Sequence, residues 1–172
     1  MDTTNDAAER VLIALKRGDL KVEQLTARSL GGFLGKTTSF LYHHWGSLDG
    51  FLYAVGQRGF GHLRADLEAA FAAHGQLADV GEAFVRFGLT YPAVYALMFE
   101  RHYDWDSLRK AGTFDVEQPG LVLWQLIVDQ LSKQGFPEPD HDVRLLYAGL
   151  HGLVSLALSG RVNVRATSVT DH

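Results

Sequence analysis

The sequence predicts an all-α fold in two parts: a small three-helix N-terminal unit, joined by a long helix to a larger C-terminal helical bundle. Three observations predict it. No stretch alternates apolar and polar residues with the period of a strand. Apolar residues recur instead at helical spacing along nearly the whole chain. Short segments bounded by Thr, Ser and Gly fill the first 46 residues, and longer ones follow from Ser47.

The elements follow in order. Residues 6–17 form the first helix, with Val11, Leu12 and Leu15 on one side, and Gly18-Asp19 stops it. Thr26 suits an N-cap for a second helix to about residue 33, and a short third runs from Thr37 to about His44. Ser47 can cap a longer helix, with Asp49 in its first turn where a carboxylate meets the positive dipole end. Phe51, Leu52, Val55, Leu63, Leu67 and Phe71 mark its buried stripe, and His74-Gly75 closes it. Gly56, Gly59 and Gly61 inside this helix predict local weakness or a bend. Further helices are expected over 77–91, 92–102, 118–134 and 140–160, with Pro92 in a first turn where its missing N–H lacks a partner anyway. Residues 104–118 are least regular and read as a long loop or a broken helix, and Pro137 and Pro139 mark a turn.

Composition narrows the function. The apolar share of 47% and charged share of 21% are those of a globular chain rather than a disordered one. With no cysteine, neither a disulfide framework nor a thiolate metal site is possible. The start MDTTNDAAER is polar and acidic, unlike a secretory signal, and the most apolar run, LLYAGLHGLVSLALSG, falls short of the ~20 residues a membrane helix needs. A soluble, cytoplasmic protein with no membrane contact is expected. The net charge of −4 argues against a uniformly basic nucleic-acid coat. A local patch is still available from Arg10, Lys16, Arg17, Lys21, Arg28 and Lys36, all in the first quarter.

From Leu25 to Ala54 the chain reads LTARSLGGFLGKTTSFLYHHWGSLDGFLYA. A helix-turn-helix needs a first helix, a tight turn containing Gly, and a short second helix that enters the major groove. Leu30, Leu34 and Leu41 would pin the two helices, with Gly35 in the turn and Thr38, Ser39 and His43 outward. Leu30-Gly31, Gly35, Leu41-Tyr42-His43-His44-Trp45 and the following Gly46-Ser47-Leu48-Asp49-Gly50-Phe51-Leu52 fall in register with the TetR family of bacterial repressors, which this stretch resembles.

The resemblance implies an N-terminal three-helix helix-turn-helix DNA-binding domain over 1–46, and a helical ligand-binding and dimerisation domain over 47–172. It implies a ligand-responsive transcriptional regulator, not an enzyme: a repressor binding a two-fold symmetric double-stranded DNA operator as a homodimer. Thr26 and Arg28 would open the motif beside DNA, Thr38, Ser39 and Phe40 would face bases, and Tyr42 and His44 would hold phosphates. Lys36, Thr37 and His43 complete the DNA-facing set, while Trp45 belongs to the core. Three positions depart from the pattern. Leu48 stands where the family has a phosphate-binding lysine, Lys36 where a small apolar residue packs, and Phe40 where a small residue is common. The recognition helix also has no Arg, Asn or Gln for bidentate base contacts. The alternative is a TetR-like dimer that binds a small molecule or protein partner without sequence-specific DNA binding.

Other motifs carry less. Gly35-Lys36-Thr37 looks like the end of a phosphate-binding loop, but Leu30 stands where the first Gly is required and no strand precedes it. Glu100, His102, Asp104 and Asp106 have metal-ligand chemistry but read as a solvated helix end. Ser155 lies one turn from His151 with no acid spaced to orient the His. No metal, cofactor or catalytic residue is expected.

In the C-terminal half Phe84, Phe87, Tyr91, Tyr95, Met98, Phe99, Tyr103 and Trp105 crowd a short span. Together with Trp124 and His151 they predict a pocket for an apolar or aromatic effector, with Tyr91, Tyr95, His102 and Tyr103 as polar handles. Residues 121–131 are apolar almost all round, and Ala148, Gly152, Ser155 and Ser159 form a small-residue stripe on the last helix. Close helix approach there predicts a two-fold homodimer through the last two helices. The run 91–99 and the later Tyr147-Ala148-Gly149-Leu150-His151-Gly152-Leu153 also resemble one C-terminal subtype of the family, in which a Trp stands where Tyr147 does here. His151 is expected as a satisfied core histidine.

Overall fold

A computed structural model of the chain describes residues 3–110, 112 and 119–164. Among the described residues there are nine α-helices and no strand. They are α1 (Thr3–Arg17), α2 (Ala27–Leu34), α3 (Thr38–Trp45), α4 (Leu48–His74), α5 (Leu77–Thr90), α6 (Pro92–Tyr95), α7 (Trp105–Lys110), α8 (Pro119–Lys133) and α9 (Pro139–Leu158). A 3₁₀ turn at Val22–Gln24 precedes α2, and a π-type turn at Ala96–Glu100 follows α6.

The first helix buries Ala7, Ala8, Val11, Leu12 and Leu15, a stripe at helical spacing. Gly18 ends it with φ 78°, a left-handed conformation open to glycine. The next two helices are defined by their caps. Thr26 Oγ1 accepts the Ser29 N–H at 3.1 Å, and Thr37 Oγ1 accepts that of Phe40 at 3.3 Å. Between them Gly35 turns left-handed at φ 66°. A Cβ on Gly31 would stand 2.8 Å from the Lys36 carbonyl oxygen, so the turn closes only over a glycine there. Leu30, Leu34, Leu41 and Trp45 are buried between the helices.

The long helix α4 organises the rest, packing against α1, α3, α5, α6, α8 and the π-type turn. Ser47 Oγ accepts the Gly50 N–H at 2.9 Å and starts it. It runs unbroken for 27 residues, its glycines included. Two of those glycines serve a crossing. A Cβ on Gly59 would meet Met98 Sδ at 2.6 Å and Val94 Cγ1 at 3.0 Å, and one on Gly56 would lie 3.4 Å from the Leu97 carbonyl oxygen. The missing side chains let the π-type turn lie close against α4.

Two expectations change. The helix expected over 92–102 breaks into α6 and the π-type turn, where the Arg101 N–H donates to the Ala96 carbonyl at 2.8 Å. It ends at Glu100 because Arg101 is extended. The irregular stretch 104–118 begins with α7, anchored by a fully buried Leu108, and residues 111 and 113–118 of it lie outside the described residues. No helix among the described residues is long and apolar enough to cross a membrane.

Candidate nucleic-acid face and ligand cavity

The short helix α3 buries Leu41 and Trp45 and leaves Thr38, Ser39, Tyr42, His43 and His44 exposed. Tyr42 is 49% exposed, a large value for an aromatic, and Trp45 packs edge-to-face on Phe51 of α4 with centroids 4.7 Å apart. Arg28, Lys36 and the caps Thr26 and Thr37 are exposed on the same small unit. Phe40 departs from the outward position expected of it. It is half-buried, with its ring 4.5 Å from that of His44 and 5.9 Å from that of Trp45, because an aromatic beside a core tryptophan gains by covering it. Lys36 Nζ lies 5.2 Å from the Phe40 centroid. Leu48, half-buried, packs against the core.

The basic residues of the first quarter also divide. Lys16 is drawn inward: its Nζ lies 4.2 Å from the Tyr91 centroid and 3.2 Å from His62 Nδ1. His62 Nε2 meets Glu9 Oε1 at 2.9 Å, so this cluster ties α1 to α4 and α6. Arg10, Arg17, Lys21, Arg28 and Lys36 are exposed.

The bundle encloses a cavity of about 300 Å³, at the small end of ligand-sized pockets. Each surrounding element adds apolar wall: Phe60 and Leu67 from α4, Val80 and Phe84 from α5, Met98 and Phe99 from the π-type turn, Leu123, Trp124 and Ile127 from α8, and Val143, Leu146, Tyr147 and Leu150 from α9. A second lobe of about 280 Å³ shares Phe60, Met98, Phe99 and Gly120 with it and extends past Tyr103 and Trp105. Of the expected pocket residues, Phe84, Met98, Phe99 and Trp124 line the first lobe, and Tyr103 lines the second. Tyr95 and His151 sit behind that wall, their rings against Phe99 and Tyr147. Phe87 is buried and stacks edge-to-face on Tyr91, whose face is covered by Lys16, so both support α1 instead of the cavity. His102 is exposed, because the helix stops before it.

The expected polar handles are largely satisfied within the protein. Tyr95 is fully buried and its oxygen lies 2.5 Å from His151 Nδ1. Burial pushes its phenol well above the ordinary range, with the neighbouring Tyr147 and Glu100 adding to the effect, so the phenol keeps its proton. Tyr103 donates to the Leu97 carbonyl at 2.9 Å, and burial raises it likewise, against the opposing charge of Arg101. Trp124 Nε1 donates to Asp140 Oδ1 at 3.1 Å; this bond and those from Arg144 hold the Asp140 carboxyl below its usual range. Ser155 donates to Glu100 and His151 faces Tyr95, so these two are engaged elsewhere. Among the described residues no group of three or more His, Asp or Glu is placed to hold a metal.

Sequence reasoning missed Phe60, Leu67, Leu123, Ile127, Leu146 and Leu150, whose seven- and four-residue spacings were a legible signal. It also missed Arg101 and Gln57. Arg101 Nη2 pairs with Asp49 Oδ1 at 2.6 Å, joining the π-type turn to the first turn of α4, and both Arg101 and Gln57 line the second lobe. Nothing in their spacing distinguishes them from surface residues.

Comparison with known proteins places the fold. A family model described as tetracyclin repressor-like, C-terminal domain, matches residues 77–171. A solved protein of unknown function from Rhodococcus sp. RHA1 superposes with a TM-score of 0.66 at 20% identity, covering 92% of this chain and 86% of that one. The superantigen PfiT superposes with a TM-score of 0.53 at 18% identity, over 92% of this chain and 85% of its own. No curated protein matches the chain. With a family match over more than half its length, on an all-α framework, the chain belongs to the TetR family, residues 77–171 forming its tetracyclin repressor-like C-terminal domain.

Proposed function

We propose that this protein is a ligand-responsive DNA-binding transcriptional regulator, a cytoplasmic repressor that binds a two-fold symmetric operator as a homodimer. The observation that carries this reading is the double duty of α4. Its first turns meet α3 through Phe51 and the π-type turn through Asp49, while Phe60 and Leu67 further along wall the cavity. A small apolar or aromatic effector that favours one position of α4 over another thereby repositions α3.

On this reading residues 1–46 bind DNA and 47–172 bind the effector and the second copy. Thr38 and Ser39 meet base edges, Tyr42 and His44 hold phosphates, and Arg28, Lys36 and His43 add hydrogen bonds and charge. The exposed apolar residues Leu121, Val122, Leu145 and Leu156 on α8 and α9 support a two-fold dimer through those helices. The two copies of α3 then enter successive major grooves about 34–36 Å apart.

Selection from a random duplex library, followed by salt titration, tests the reading. A two-fold symmetric enriched sequence is expected, with affinity falling steeply as salt rises. The second reading, a dimer without sequence-specific DNA binding, is favoured by three observations: Thr26 and Thr37 hydroxyls serve as caps, Phe40 turns onto Trp45, and Leu48 packs against the core. A selection that enriches no sequence decides for it.

A further inference from the structure

From Gln24 to Leu48 the chain contains no Asp or Glu, although its net charge is −4. The Lys and Arg of that stretch are Arg28 and Lys36, both exposed, and α3 itself has neither type. What α3 carries is His43 and His44, adjacent in its last turn and both exposed. Of the eight histidines in the chain, these are the two that fall within residues 1–46. Protonated, they raise the cations of the motif from two, Arg28 and Lys36, to four. The imidazole is the side chain whose charge ordinarily changes between about pH 5 and 8. The charged groups around the pair are few. α3 packs against α2, which brings Arg28 alone, and against the start of α4. There Asp49 is already held by Arg101 at 2.6 Å, and the next charge is Arg58. Within the motif, Lys36 Nζ lies over the Phe40 ring, which touches His44, and the Tyr42 phenol is exposed beside the pair. No carboxylate of α2 or α3 is there to pair with an imidazolium, so the anion that fits is an incoming one.

Resting on the reading of α3 as the DNA-facing helix, we propose that DNA binding by this protein is proton-linked: His43 and His44 meet backbone phosphates as imidazolium cations, and the operator is held more tightly as pH falls. A neutral imidazole offers a phosphate one N–H, whereas the imidazolium offers two and a full charge. A phosphate beside the ring favours its protonated form, so the complex holds more protons than the free chain. Affinity therefore rises as pH falls through the imidazole range and declines as pH rises through it. A homodimer presents two such rings on each copy, and each cation set on a phosphate steepens the salt dependence by about 0.9. Leu48 and the lack of Lys and Arg on α3 leave this part of the electrostatic attraction to the two rings.

Selection of the full chain on the random duplex library at about pH 6 and at about pH 7.5, followed by binding isotherms on the enriched duplex at both, tests the proposal. Affinity at the lower pH is expected to be at least about ten-fold higher, with a salt slope steeper by at least about 1. In the double variant His43→Gln, His44→Gln the pH effect should shrink to within about three-fold, since glutamine keeps a hydrogen bond and not the charge. Proton NMR of the natural chain gives a readout independent of the variant: two imidazole titration midpoints should move to higher pH when the duplex is added. An affinity equal within about three-fold at the two pH values, or midpoints that stay in place, overturns the proton linkage and leaves the DNA reading standing. A pH effect undiminished in the variant overturns the assignment to these two histidines. If neither pH enriches a duplex, the DNA reading and the proposal fall together. Where the variant does not fold, the midpoints decide.

Discussion

Tyr95 has no solvent exposure, yet its oxygen lies 2.5 Å from His151 Nδ1, and this buried bond crosses from α6 to α9. Tyr95→Phe leaves His151 Nδ1 without its hydrogen-bond partner, and a loss of about 1–3 kcal/mol is expected from urea unfolding. The same residue sets an alkaline limit. Tyr95 and Tyr103 are raised above the ordinary tyrosine value by burial. Folding therefore favours the protonated phenol. The stability this gives is fully present below about pH 10 and is lost as pH rises toward the folded-state values. Urea midpoints should fall between pH 9 and pH 11, and less steeply in Tyr95→Phe. On α3, the exposed Thr38 and Tyr42 separate two roles. Thr38→Ala should relax the sequence choice of any selected site, while Tyr42→Phe should weaken binding on every sequence alike, both read from binding isotherms on matched and mismatched duplexes.

At the scale of elements, the glycines of α4 have opposite meanings. A Cβ on Gly50 would overlap the Trp45 carbonyl oxygen, whereas one on Gly61 meets nothing within 4 Å. Gly50→Ala must push α3 away from α4 and should cost about 1–3 kcal/mol. Gly61→Ala should stabilise by about 0.5–1 kcal/mol, since alanine loses less backbone entropy in a helix. Thermal unfolding should separate the two, with about 2–4 °C per kcal/mol for a chain of this size. Equal effects would mean that the α3–α4 junction is not close-packed. The π-type turn belongs at this scale too. Composition read 92–102 as one helix, because a helix and a π-type turn use the same residue types; only the glycine-lined face of α4 distinguishes them.

For the whole molecule, the apolar surface of α8 and α9 is the feature a single chain leaves unexplained. Leu121 and Leu145 are each 61% exposed, on the two helices proposed to pair between copies. Sedimentation should return about twice the chain mass of 19.0 kDa, and Leu145→Glu should shift it toward the single chain by placing a charge in an apolar seam. A monomer at all concentrations would remove the two-fold geometry on which the operator proposal depends. The tie from the second lobe to the DNA-facing unit is also a property of the whole: Arg101 and Asp49 are 52 residues apart in sequence.

By itself, the sequence determined the all-α class, the caps at Thr26 and Ser47, and the buried stripes of α1 and α4. Those features depend on local periodicity and on backbone groups that must be satisfied within a few residues. Four residues of the cavity wall, Phe84, Met98, Phe99 and Trp124, were legible as well, since aromatic crowding requires somewhere to pack. Only the tertiary structure decided that Phe87 and Tyr91 back α1, that Tyr95 spends its hydroxyl on His151, and that Gln57 and Arg101 face an apolar lobe. Each of these depends on which distant helix lies opposite, and the spacing of residues along one helix carries no record of its neighbour.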